Sequence, residues 1–164
     1  EEEKIETGVC QGQKVVSPDV QSTRETFEDA LSSLVRTKES IGRATRLAMD
    51  LMKFGVSAKA MEILAHTLES ESNLQRRVDL FFLVDSIAQC SKGLKGDAGC
   101  VYLSAIQVSL PRLLAAAVPA GATTQENRRQ CLKVLRLWLE RRILPESIIR
   151  HHIRELDSHN IVPA

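Results

Sequence analysis

The 164-residue chain predicts an all-α fold of seven to eight helices, stacked in the order in which they occur. Three observations carry this prediction. Apolar residues recur at helical spacing from Phe27 to Ile153, and no stretch alternates with the period of two that marks a half-buried strand. The runs are about ten to twenty residues long with short connections, which suits either a bundle or helix pairs stacked into a solenoid. One run in the middle, Leu80 to Ser91, is apolar nearly all the way round a helix, at 80, 83, 84 and 87 and again at 81, 82 and 88. A surface helix would show a single stripe, so this one predicts a helix through the centre of the fold, and it favours stacking.

In chain order, residues 1–21 lack periodicity and read as an N-terminal extension or linker, with Val15 and Val16 available to dock on the domain. The acidic start Glu1-Glu2-Glu3 is unlike a signal sequence and suggests a piece of a longer protein. The helical domain is expected over 22–158, with 159–164 as a tail. Thr26 and Asp29 resemble a capping box for a first helix that carries Phe27, Ala30, Leu31, Leu34 and Val35 inward. A second helix presents Ile41, Ala44, Leu47, Ala48, Leu51 and Met52, and Gly55 suits the left-handed position beyond its end. Ser57 is placed to cap a third helix, and Ser72 with Gln75 to box the start of the central one, about 73–92. Three glycines at 93, 96 and 99 mark a loop without the phosphate-loop pattern. The next helical run, 101–118, contains Pro111, which predicts a kink or break near 107–111. Thr123 with Glu126 is a full capping box for a strong helix to Arg142, and Pro145 starts the last helix, to about Leu156.

Charge is nearly balanced, with 22 Lys and Arg against 21 Asp and Glu, so its distribution is the informative part. Residues 126–156 hold eight Lys and Arg against four Glu. A basic final third on a neutral chain points to a local anionic ligand, and makes direct nucleic-acid binding across the surface a poor reading. Cys10, Cys90, Cys100 and Cys131 have no metal or redox spacing and read as reduced thiols. No run reads as a membrane span. His151 and His152 are neighbours and project about 100° apart on a helix, so they read as surface residues and not as a metal pair. With no nucleophile pattern near a histidine and no paired carboxylates, no catalytic residue, cofactor or metal is predicted.

Asp85 is the one ionisable group in the middle of the central run. A carboxylate there is costly to bury unless it is paired. Two readings stand: a structural residue satisfied by backbone or arginine, or a group that surfaces in a groove and accepts a hydrogen bond from a ligand.

Three stretches together resemble the CID (or RPR) domain, the module that binds the C-terminal tail of RNA polymerase II. They are Phe82-Leu83-Val84-Asp85-Ser86-Ile87, the segment Lys133 to Arg141 with Trp138 inside it, and Ser40-Ile41-Gly42-Arg43. The resemblance covers about residues 22–156, and the wording of 76–156 is similar to the plant enhancer-of-agamous family, nuclear PWWP-domain proteins of flowering control. It implies a right-handed superhelix of the VHS/ENTH/CID kind with a groove for the phosphorylated heptad Tyr-Ser-Pro-Thr-Ser-Pro-Ser. It implies a peptide-binding set of Asp85, Phe82, Gln89 and Ser86, in which Asp85 accepts a hydrogen bond from the peptide. It implies phosphate recognition by Arg141, whose planar fork grips phosphate bidentately, with Lys133 two turns away on the same helix. Ser40 and Arg43, three apart at a helix start, resemble a second anion site for the fifth-position phosphoserine. The chain departs from the family in having Phe82 where Tyr is usual, and Gln89 and Cys90 where Asn is expected. Other classes of module on a similar stack are a VHS- or ENTH-like trafficking adaptor and a scaffold or dimerisation domain; the glutamate-led N-terminus lacks the lysine cluster of a phosphoinositide reader.

Overall fold

The computed structural model describes residues 18–121 and 124–160. They form α1 (Pro18–Ser32), α2 (Lys38–Lys53), α3 (Ser57–Ser70), α4 (Leu74–Lys92), α5 (Ala98–Ala117), α6 (Gln125–Arg141) and α7 (Glu146–Asn160), and no strand occurs among the described residues. The principal packing partners are always one or two places apart along the chain: α1 on α2 and α3, α2 on α3 and α4, α3 on α4 and α5, α4 on α5 and α6, α5 on α6, and α6 on α7. That is how stacked helices pack, and a closed bundle would return its last helices to the first.

The central run forms α4. Leu80, Phe81, Leu83, Val84, Ile87 and Ala88 are all buried in it. Its remaining strip, Phe82, Asp85, Ser86 and Gln89, is half-buried. Those four positions recur at i, i+3, i+4 and i+7, so they share the one face of α4 that the core leaves partly open.

Several local expectations are corrected. α1 begins at Pro18, well before Thr26 and within the stretch read as a linker. Proline suits the first helical position, and the Thr26 hydroxyl donates to the Ser22 carbonyl at 2.9 Å inside the helix. Val35 lies beyond the helix end and is 51% exposed. Ser57 is itself the first residue of α3 and makes no capping bond. At α4 the cap is Asn73, whose side chain accepts the Arg76 N–H at 3.0 Å; Ser72 is exposed. Asn is as good an N-cap as Ser, and sequence spacing alone does not choose between neighbours. α5 starts at Ala98 and runs unbroken through Pro111. Pro111 is exposed, where water can satisfy the carbonyl it deprives, while Leu110, Leu113 and Leu114 on either side hold the helix against the core. Thr123 lies outside the described residues, and α7 continues past Leu156 to Asn160.

By length and composition α5 is apolar enough to cross a membrane, against the expectation that no run reads as a span. In this fold its Tyr102, Ile106, Leu110 and Leu113 are core residues, and it packs on both α3 and α4. The Tyr102 hydroxyl donates to the Ala48 carbonyl at 2.6 Å, and burial raises its pKa. Gly55 adopts φ 81°, the left-handed conformation its position after α2 predicts. Cys90, Cys100 and Cys131 are free thiols, and burial pushes Cys131 up to about 12, so it stays protonated.

Candidate functional site

The open strip of α4 faces α6. Trp138 is fully buried, and its indole Nε1 donates to Asp85 Oδ1 at 2.7 Å. Gln89 Nε2 donates to the same oxygen at 3.1 Å. Asp85 Oδ2 has no hydrogen-bond partner among the described residues. The carboxylate is therefore neither buried unpaired nor held by arginine: a neutral indole fixes one oxygen and leaves the other open. The Trp138 ring in turn stacks on Phe81, with centroids 6.1 Å apart and planes at 27°.

Beside Asp85, α4 and α6 enclose a groove of about 570 Å³, lined by Phe82 and Asp85 on one wall and by Gln130, Lys133, Val134, Arg136, Leu137 and Glu140 on the other. Arg141 stands at one end, where its Nη1 donates to Gln89 Oε1 at 3.1 Å. Gln89 thus bridges Arg141 and Asp85, and its amide is engaged at both ends. Arg36 stands at the Phe82 end. Its guanidinium carbon lies 4.7 Å from the Phe82 ring centroid while its Nε binds Asp79 Oδ1 at 2.7 Å. The groove combines apolar side chains with the open Asp85 oxygen, and its α6 wall carries Lys133 and Arg136 beside Glu140. Such a surface suits an extended or turned peptide with a hydroxyl donor near its middle and negative charge toward its ends.

Of the predicted site residues, Phe82, Asp85 and Lys133 line this groove, while Gln89 and Arg141 join it through the chain of hydrogen bonds that ends on Asp85. Ser86 turns elsewhere. Thr45 Oγ1 donates to the Ile41 carbonyl at 2.7 Å, which leaves the Ser86 hydroxyl to donate to Thr45 at 2.7 Å and tie α4 to α2. Ser40 and Arg43 remain on α2 and do not line the groove. The Ser40 hydroxyl accepts the Val35 N–H at 3.1 Å and its own N–H donates to Thr37 Oγ1, so it serves the helix start; Arg43 is exposed. Two participants escaped the sequence reading. The indole of Trp138 could have been found, because a buried tryptophan N–H needs an acceptor. Arg36 carries no such signal: it lies in the linker between two helices and reaches the groove only through tertiary packing.

No group of three or more His, Cys, Asp or Glu residues close enough to hold a metal occurs among the described residues. His151 and His152 meet edge to face with centroids 5.1 Å apart. His152 is half-buried where a surface position was expected, and burial lowers its pKa.

The family model for the CID domain matches residues 25–152. Protein HUA2-LIKE 2 of Arabidopsis thaliana is 93% identical over all 164 residues, and ENHANCER OF AG-4 protein 2 of the same plant is 54% identical over 134 residues, 82% of the chain. The chain spans 12% and 10% of the lengths of these two relatives. Among solved structures, a CID of Ctk3 superposes with a TM-score of 0.72 at 22% identity, covering 88% of this chain and 99% of that one, which speaks for the fold. CID domains are binding modules for the C-terminal tail of RNA polymerase II and not a known family of enzymes. With the family model spanning all but the ends of the helical stack, this chain belongs to the CID domain family.

Proposed function

We propose that the groove between α4 and α6 binds the phosphorylated heptad repeats of the polymerase tail, and that the chain thereby couples its parent protein, in the nucleus, to transcription and pre-mRNA processing. The observation that carries this reading is Asp85. Its carboxylate is oriented by the Trp138 indole at 2.7 Å, lines the groove, and keeps Oδ2 open to accept from a peptide hydroxyl or turn N–H. A charge-assisted bond in a half-buried site is stronger than a neutral one. Arg141 supplies the phosphate contact for the second-position serine, with Lys133 adding positive charge along the α6 wall. Arg141 is exposed and tethered only to a neutral amide, so no carboxylate has to be displaced before it meets phosphate.

Fluorescence anisotropy with two-heptad peptides tests this. The set is unmodified, phosphorylated at the second-position serine, at the fifth, and at both. The second-position peptide should bind more tightly than the unmodified one. Arg141→Ala should cost about 1.5–3 kcal/mol of binding to it and leave the unmodified peptide little changed. Equal loss for both peptides would make Arg141 structural. Negligible binding of all four would remove the polymerase-tail function.

A further inference from the structure

Past the Arg141 end of the groove lies a second cleft, of about 640 Å³, where the end of α4, the end of α6 and the start of α7 meet. Its charged lining is Lys92, Glu140, Arg142, Glu146 and Arg150. Glu146 and Arg150 neutralise each other at 2.6 Å. Lys92 and Arg142 have no side-chain partner among the described residues. One unpaired carboxylate, Glu140, stands opposite these two open cations. Glu140 also lines the α4–α6 groove, so the two spaces meet at that residue.

Arg142 has a second peculiarity. It is the only non-glycine residue with positive φ among the described residues, at φ 57° and ψ 44°, in the position after α6. Glycine is the usual residue there, because a side chain in the left-handed conformation carries a steric cost. The fold thus holds an arginine where glycine would be more stable, and the side chain it keeps lines a cleft with an open lysine.

We propose that this cleft is a second anion site that takes a phosphoserine or phosphothreonine on the same peptide as the one held by Arg141. The proposal rests on the peptide-binding reading of the groove. Lys92 lies three residues beyond Gln89 on α4, a rise of about 4.5 Å. An extended peptide advances about 3.3 Å per residue. A phosphate two to four residues from the first therefore falls within reach of long lysine and arginine side chains. In the heptad, the fifth-position serine is three residues from the second. The cleft would read that phosphate in the same repeat, whereas Ser40 and Arg43 stand on α2, outside the groove.

Arg142→Gly and Lys92→Gln, singly and together, test this with the same peptides. The wild-type chain should bind the doubly phosphorylated heptad roughly three- to tenfold more tightly than the second-position monophosphopeptide. The double variant should lose that gain and still bind the monophosphopeptide as before. Arg142→Gly should meanwhile melt at the same or a higher temperature, since glycine relieves the left-handed strain. A position that matters only for the fold would not move stability and affinity in opposite directions. If the second-position peptide binds, no gain from the second phosphate in the wild type, or a gain that survives the double variant, overturns the proposal. Titration with free phosphoserine, followed by NMR, separates it from the groove reading. Saturable shifts at Leu139, Ile143 and Arg150, which also line the cleft, that vanish in the double variant sustain the anion site even if no tail peptide binds, and their absence in the wild type overturns it.

Discussion

Asp85 Oδ1 accepts from both Trp138 and Gln89, so a single oxygen anchors the carboxylate and its twin stays open. The bond to Trp138 joins two central elements: it satisfies a buried indole N–H and aims the group proposed to meet the peptide. Trp138→Phe separates these roles. Phenylalanine preserves the aromatic contact with Phe81 and removes the donor, so Asp85 is left to Gln89 and water. The variant should lose about 2–4 kcal/mol of stability in urea unfolding, about 1.5–3 for a hydrogen bond to a charged group and the rest for the volume lost at a buried position. It should also weaken all four tail peptides to a similar degree, because Asp85 is proposed to contact the peptide whatever its phosphorylation. Reduced stability with unchanged peptide affinity would confine the indole bond to the fold. Gln89 stands four residues after Asp85, one turn along α4. Its side chain spans from Asp85 to Arg141, and that span is visible only in three dimensions.

At the scale of the helix, some ends are secured by side chains from other helices. Arg76 of α4 donates to the Leu34 carbonyl and, at 3.0 Å, to that of Leu31, so it caps the end of α1. Arg77 donates to the Ala116 carbonyl of α5 at 2.8 Å, and Asn127 of α6 to those of Ala117 and Leu74 at 2.8 and 3.0 Å. Local pattern reading cannot see such partners, which lie 10 to 53 residues away. Glu71 anchors the α3–α4 corner by accepting from Arg76 Nε at 2.9 Å and from the Asn73 N–H at 3.0 Å. The Arg76 guanidinium, and after it the Asn73 N–H, hold the Glu71 carboxyl below the usual carboxylate range. A depressed folded-state pKa stabilises the fold above the unfolded value, near 4.5, and that contribution disappears as pH falls through the folded value. Glu71→Gln should therefore cost about 1 kcal/mol at pH 7. The difference from wild type should shrink toward zero when urea unfolding is repeated well below pH 4. A constant deficit at both pH values would show that shape, and not ionisation, secures the corner.

For the whole molecule, the stack was legible because its signals are redundant: each helix shows its own apolar stripe, and the stripeless Leu80–Ser91 run marks the centre. The groove was legible in part, because the half-buried strip 82, 85, 86, 89 is a helical spacing, whereas the direction of Ser86 toward Thr45 and the arrival of Arg36 at Phe82 depend on how α2 packs on α4. Net charge, at +1, gives the molecule no long-range pull on a polyanion. The cations that line the groove, Lys133 and Arg136, and those beside it, Arg141 and Arg36, act locally and are exposed. A phosphate adds about −1.5 to −2 of charge at neutral pH, and its attraction to exposed cations is screened over about 8 Å at physiological ionic strength. Raising salt from low to high ionic strength should therefore weaken second-position phosphopeptide binding by roughly three- to tenfold, since the added attraction is mainly to exposed groups. The unmodified peptide, held by the apolar side chains of the groove and by Asp85, should change little over the same range. Parallel anisotropy titrations at several salt concentrations measure both slopes. Equal slopes would mean that the groove does not distinguish the phosphate electrostatically, and would shift phosphate recognition away from Arg141 and Lys133.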